Sequence, residues 1–399
     1  MAGRRKTATI CSATMCCLFI AGLLGLYSCS SPSSDYDSIP EIEAESTGTK
    51  EEAESTLVYE YSMEIQYAEN FSVDYFVGGY TLLTIKDGTE ILVVPEGLEI
   101  PKGLDNEMIV MQRPVGNFYL VASAVMDMFD ELNAVDTITL SGQKEENWYI
   151  EAAKEAMARG DMIYAGKYNK PDYELIASRD CSLAIENMMI SHSPEVIEML
   201  HNFGIPVMIE YSSYESHPFG RVEWIKFFGA LVGKEEEAEL AFEKQVAILK
   251  KVTVDEKTDK TVAFFFITSN GLVQVRQSSD YVPKMIELAG GRYIFEELGE
   301  PESARSTMNM QIEEFYSSAK DADFIIYNSS IDGGVKTVEE LLDKCELLKD
   351  FKAVQEGNVW CTTNDMYQQS MSIGYLIEDM HNMLQGGGEE EMKFLFRLE

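Results

Sequence analysis

Between residues 107 and 384, short apolar runs alternate with amphipathic stretches, and the alternation is interrupted once by a purely helical segment. In the first half EMIVMQRP, DTITLSG, SLAIE and IPVMIEY read as strands, and residues 118–132, 148–159 and 194–203 as helices. In the second half TVAFFFIT, DFIIYN and NVWCTT read as strands, with helices at 282–288, 311–319, 338–343 and 372–384. Strands that alternate with helices build mostly parallel sheets covered on both faces. Residues 221–253 carry apolar positions at helical spacing. Three glutamates (Glu235, Glu236 and Glu237) open their second half and Lys250 and Lys251 close it, which suits the helix dipole. The expected fold class is therefore α/β: two Rossmann-like lobes joined by one long bridging α-helix, with a ligand cleft between them. In open α/β sheets, ligands bind beyond the carboxyl ends of the strands.

The N-terminus stands apart from this pattern. Arg4, Arg5 and Lys6 precede a small, apolar stretch that ends at Leu26-Tyr27-Ser28-Cys29, the order of a secretory signal. This end resembles the lipobox of bacterial lipoproteins, and the resemblance makes Cys29 the lipidated first residue of the mature chain. An uncleaved membrane anchor is the alternative, and it too tethers the chain outside the cytoplasm. Residues 29–56 are rich in Ser, Pro and Glu and nearly free of large apolar side chains, the composition of an acidic flexible stalk. The expected organisation is then signal peptide 1–28, stalk 29–56, N-terminal lobe 57–220, helical connection 221–260 and C-terminal lobe 261–399. The N-terminal lobe opens with a hairpin over residues 80–95, turning at Lys86-Asp87-Gly88. The net charge of −36 repels nucleic acid and anionic lipid headgroups. Cys181, Cys345 and Cys361 are widely spaced and are expected as thiols, not as a disulfide framework or a zinc site.

From Glu107 to Leu384 the order of segments resembles the substrate-binding proteins of iron-siderophore, haem and cobalamin ABC importers. KPDYELIASRDCSLAIE, PEVIEMLHNFGIPVMIE, SHPFGRVEWIKFFGALVGKEEEAE, YVPKMIELAGGRYIFEEL and FKAVQEGNVWCTT carry the resemblance, in that order. It implies a non-enzymatic transport component of the membrane surface, monomeric, working with an ABC permease dimer and its ATPase subunits. It further implies one acidic residue per lobe that pairs with a permease arginine: Glu174 in the first lobe, and in the second Glu314, with Glu313 as its neighbour.

Candidate ligand contacts come from the loops that follow strands: Arg113, Trp148, Tyr149, Tyr211, Tyr214, His217 and Arg221 from the first lobe, and Asn270, Arg276, Tyr281, Tyr327, Asn328, Thr362 and Thr363 from the second. Arginine with tyrosine or tryptophan holds anionic, flat ligands by charge and stacking. A ferric siderophore fits this chemistry first, with haem or cobalamin as alternatives. No resident cofactor is expected. Four scattered histidines do not suit a bare-metal site, though His217 could reach a haem iron. The chain carries no GxSxG, HExxH or GxxxxGK[ST] motif; a secreted enzyme with an unrecognised active site is the rival class.

Overall fold

The computed structural model describes residues 57–252, 257–299, 306–388 and 392–399. The expected signal peptide, Cys29 and the expected stalk lie outside the described residues.

The described chain opens with a five-stranded sheet: β1 (Tyr59–Ser62), β2 (Phe71–Phe76), β3 (Tyr80–Ile85), β4 (Glu90–Val94) and β5 (Ile109–Gln112), paired in that order. The expected hairpin is β3–β4. Thr81, Leu83 and Ile85 alternate inward along β3. Gly88 takes φ +94° at the turn, and Asp87 accepts the Thr89 amide at 2.9 Å.

The first lobe follows, with β6 (Phe118–Leu120), α1 (Met126–Glu131), β7 (Ile138–Ser141), α2 (Glu151–Arg159), β8 (Ile163–Tyr164), the small pair β9 (Gly166–Lys167) and β10 (Lys170–Pro171), α3 (Tyr173–Ser178), β11 (Leu183–Glu186), α4 (Pro194–Asn202) and β12 (Val207–Ile209). Its sheet is parallel in the order β12-β11-β6-β7-β8. Two expectations change here. EMIVMQRP is β5, which pairs with β4 in the opening sheet and does not begin the lobe. Residues 118–120, expected to start a helix, are the central strand of the lobe, because Phe118, Tyr119 and Leu120 are buried between β7 and β11.

Helix α5 (Pro218–Val232) is buried on nearly every side, and α6 (Glu235–Val252) is the bridging helix. It packs on α5 and, in the second lobe, on α11 (Ile373–Gln385). The packing is close: a Cβ on Gly229 of α5 would lie 2.6 Å from the Ala238 Cβ, and one on Gly374 of α11 would lie 2.8 Å from Gln245 Oε1. Gln245 accepts the Gly374 amide at 3.1 Å, tying the bridge to the second lobe.

That lobe comprises β13 (Thr261–Ile267), β14 (Val273–Arg276), α7 (Tyr281–Leu288), β15 (Arg292–Tyr293), β16 (Thr307–Met310), α8 (Ile312–Ala319), β17 (Phe324–Tyr327), α9 (Val338–Lys344), α10 (Lys352–Glu356), β18 (Val359–Thr362), α11 and β19 (Leu395–Arg397). The sheet order is β16-β14-β13-β17-β18-β19, with β15 beside the start of β13. The central strands β17 and β18 are buried at every residue, as a sheet covered on both faces requires. Buried Asp379 of α11 accepts the amides of Lys393, Phe394 and Leu395, holding the C-terminal strand in place. Cys181 and Cys361 are buried, Cys345 is half-buried, and all three are free thiols. Among the described residues no helix is long and apolar enough to cross a membrane.

Candidate functional site

In the first lobe β6 connects to β7 on one side and β11 to β12 on the other, so the order of strands reverses between β6 and β11. Open parallel sheets place ligands at such a point. A hollow of about 160 Å³ lies there, lined by residues 122–124 after β6, 187–189 after β11, and Glu210, Ser213 and Tyr214 after β12. Ala124 also borders a second, much tighter space between the lobes, about 20 Å³, walled by Arg221, Tyr281, Met366, Tyr367 and Ser370 among others. Such a space holds about one water molecule.

Two arginines meet at the ring of Tyr281, which with Arg221 lines this space. Arg221, one turn into α5, lays its guanidinium 3.9 Å above the ring of Tyr281, the first residue of α7. Its Nη1 donates to Ser213 O at 2.6 Å. Arg276, at the end of β14, is 8% exposed and stands 5.9 Å from the same ring. Its Nη1 lies 3.5 Å from Asp280, and its Nη2 donates to the Tyr367 hydroxyl. Burial opposes the charge on Arg276, but Tyr367, Asp280 and Tyr281 more than offset it and hold its pKa above the ordinary value. Tyr281 is pushed up to about 12 by burial, with both arginines pulling the other way. In a chain of net charge −36, this is a local cationic, aromatic floor.

Of the residues expected from sequence, Arg221, Arg276 and Tyr281 come together here, and Asn328 joins them by donating to Tyr367 at 2.7 Å. Tyr214 borders the adjoining hollow, and Tyr211 packs edge-on against it at 6.2 Å. Tyr149 is exposed at the lobe boundary, where its amide donates to Gln368 of the other lobe.

The structure places the other candidates away from this cluster. Arg113 directly follows β5 of the opening sheet and caps α5, donating to Ala230 O at 2.7 Å and pairing with Glu235 at 3.2 Å. Trp148 is buried in the core and donates to Ser141 at 3.1 Å. Tyr327 is buried and donates to Asp332 at 2.8 Å. Asn270 sits exposed in the β13–β14 turn, bonded to Thr268. His217 caps α5 by accepting the Phe219 amide and stacks on Tyr67 at 4.6 Å. Thr362 is buried and accepts the Ser329 amide.

His217 also faces a larger hollow of about 440 Å³ beside α7, whose cations Lys284 and Arg292 are paired with Glu287 and Glu296 at 2.8 Å. The interlobe floor is the better candidate, because both of its arginines face the ring of Tyr281. Sequence reasoning missed Tyr367, Met366 and Ser370. Their one signal was position, in the loop that follows β18. Among the described residues no group of three His, Cys, Asp or Glu side chains is arranged to hold a metal ion.

Glu186 ends β11 fully buried, with no hydrogen-bonding partner for either carboxylate oxygen. Burial pushes its pKa from 4.5 up to about 8. The folded chain therefore keeps this proton where the unfolded chain releases it, so stability present below pH 4.5 is lost as the pH rises to about 8. Glu186→Gln should flatten that slope. Urea midpoints at pH 5 and pH 8 are expected to differ less in the variant than in the parent, with the variant the more stable at pH 8.

No known family model matches the chain. An uncharacterized lipoprotein of Methanocaldococcus jannaschii is 26% identical over 350 residues, which span 84% of this chain and 87% of that protein. Among solved structures, an ABC transporter substrate-binding protein from Listeria monocytogenes superposes with a TM-score of 0.52 at 16% identity, covering 67% of this chain and 97% of that one. A periplasmic heme binding protein from Pseudomonas aeruginosa gives a TM-score of 0.55 at 12% identity, covering 71% and 97%. The fold is that of the two-lobed substrate-binding proteins of ABC importers.

Proposed function

We propose that this chain is the lipid-anchored, extracytoplasmic solute-binding component of an ABC importer, and that it captures an anionic iron chelate between its lobes, a ferric siderophore foremost. The observation that carries the reading is the pair of arginines, one from each side of the lobe boundary, converging on Tyr281 at the floor of the cleft. Guanidinium groups over aromatic rings suit a flat, negatively charged complex. The fold supports the importer role, and the lipoprotein relative supports the tether at Cys29. The capture step involves no covalent chemistry.

Delivery needs a surface that a permease can read. Glu174 is exposed in the first turn of α3, two residues before buried Ile176. In α8, exposed Glu313 stands two residues before buried Phe315, and Glu314 one residue before it. The matching helix register favours Glu313 over Glu314 as the counterpart of Glu174. A carboxylate on each lobe, paired with an arginine on each permease subunit, would fix the orientation of docking.

Equilibrium dialysis against a ferric catecholate, a ferric hydroxamate, haemin and cobalamin tests the ligand class. One-to-one retention of an anionic ferric chelate is expected. Retention of cobalamin alone, or of none of the four, would reject the reading.

A further inference from the structure

Segment 366–371 of the second lobe makes two sets of contacts that bear on how the site opens. The first set crosses to the other lobe. Gln368 Nε2 donates to Asn147 O at 2.8 Å, and its Oε1 accepts the Tyr149 amide at 2.8 Å. Ser370 donates to Ala124 O at 2.6 Å, and the Met371 amide donates to Asp127 at 2.6 Å. Three loci of the first lobe are thereby pinned by one short stretch of the second. The other set stays within the second lobe. The Tyr367 hydroxyl accepts from Arg276 and from Asn328 Nδ2. Asn328 is fixed in that orientation, because its Oδ1 accepts from Ser330 at 2.9 Å.

We infer that Tyr367 is the specificity-determining residue of the interlobe site: its hydroxyl holds the position on Arg276 and Asn328 that a ligand oxygen must take, and its displacement releases the pin beside it. Both groups that face the hydroxyl are donors, so the position selects an acceptor. A deprotonated oxygen, as in a carboxylate, catecholate or hydroxamate, accepts both bonds without carrying a proton of its own, whereas an amine would bring a donor against two donors. Arg276 is buried under its bond to the Tyr367 hydroxyl, and the space on the other side of Tyr367 admits about one water molecule, so a chelate cannot reach Arg276 with the tyrosine in place. Tyr367 and Gln368 are adjacent in the chain. Lifting the ring off Arg276 pulls on the residue that bonds the first lobe, and ligand entry and lobe release become one movement. The pin stands on the geometry alone; its use by an iron chelate rests on the importer reading.

The test begins with the protein free of ligand. Amide hydrogen exchange is followed at Tyr149 and Met371, the two amides that donate across the boundary. Tyr367→Phe keeps the ring and removes the hydroxyl; it is expected to speed exchange at both amides at least tenfold, with the β17 amides unchanged. Gln368→Ala is expected to speed Tyr149 and Met371 together. Rates in Tyr367→Phe within twofold of the parent, or a change confined to Tyr149 in Gln368→Ala, would overturn the coupled strap. Titration with an anionic ferric catecholate supplies the second arm, where Tyr367→Phe is expected to bind at least fivefold more tightly. Equal or weaker binding would overturn the placeholder. Binding by neither protein would count against the proposed ligand class, while the exchange rates would still decide for or against the strap.

Discussion

Replacing Glu174 and Glu313 together by alanine is expected to reduce uptake of the chelate by at least a hundredfold and to leave its affinity for the isolated protein within twofold of the parent. Both residues are exposed in the first turn of short helices, α3 and α8, one on each lobe. As helix-dipole partners they are worth only about 0.3–1 kcal/mol each, so the variant stays folded. Neither lies in the arginine–tyrosine constellation, so capture is untouched. Charge-assisted pairing with two permease arginines is a different matter, since each lost carboxylate leaves a cation unpaired in a desolvated interface, at a cost of about 2–5 kcal/mol. Uptake of radiolabelled chelate by cells carrying the cognate permease, beside dialysis of the purified protein, separates the two quantities. Glu314→Ala is the control. If that single change abolished uptake and Glu313→Ala did not, the helix register would have been the wrong guide.

The second large effect concerns the join between the opening sheet and the lobe behind it. Glu223→Ala should lower the unfolding free energy by about 3–5 kcal/mol, as expected when one member of a buried charge pair is removed. Glu223 is fully buried on α5 and accepts the amides of Gln66, Tyr67 and Ala68 at 2.7–2.9 Å. Its neighbour Glu215 takes the next two, Glu69 and Asn70, at 3.0 Å, and also the Trp224 indole at 2.9 Å. Five consecutive amides between β1 and β2 therefore end on two carboxylates of the lobe. Alanine at 223 orphans three of those amides. It also takes the buried carboxylate, 3.5 Å away, from Lys226, which is 3% exposed, leaving it the half-exposed partner Glu239 at 2.9 Å. Glu223→Gln keeps an acceptor and should cost less. Urea unfolding measures both, and a loss below about 1 kcal/mol for the alanine variant would show that the sheet is held chiefly by its apolar face.

Much of the architecture was legible because parallel strands and amphipathic helices leave different periodicities. TVAFFFIT and DFIIYN are continuous apolar runs, and both became buried strands. Which sheet a strand joins is not written in its own residues. EMIVMQRP has the pattern of a lobe strand, and its pairing with β4 carried Arg113 away from the cleft. Residues 118–120 were read as helical because the apolar run continues into α1, and only the neighbours β7 and β11 make them a strand. Arg221, Arg276 and Tyr281 meet because the first turn of α5, the end of β14 and the start of α7 all reach the lobe boundary. Trp148 also follows a strand, and the structure places it in the core, since a large ring near a strand end can equally fill the core beneath it. Tyr367 carries no motif, and its importance comes from a hydroxyl placed between Arg276 and Asn328, residues 91 and 39 positions away.

Calorimetric titration of a ferric catecholate into the parent and into an Arg221→Ala, Arg276→Ala double variant puts the account to its most direct test. The lobes joined by α6 should bind one equivalent in the parent, and loss of both guanidinium groups should weaken binding at least a hundredfold while the unfolding transition of the variant stays cooperative. Undiminished affinity in a folded double variant would place the ligand elsewhere and contradict the assignment of the cleft.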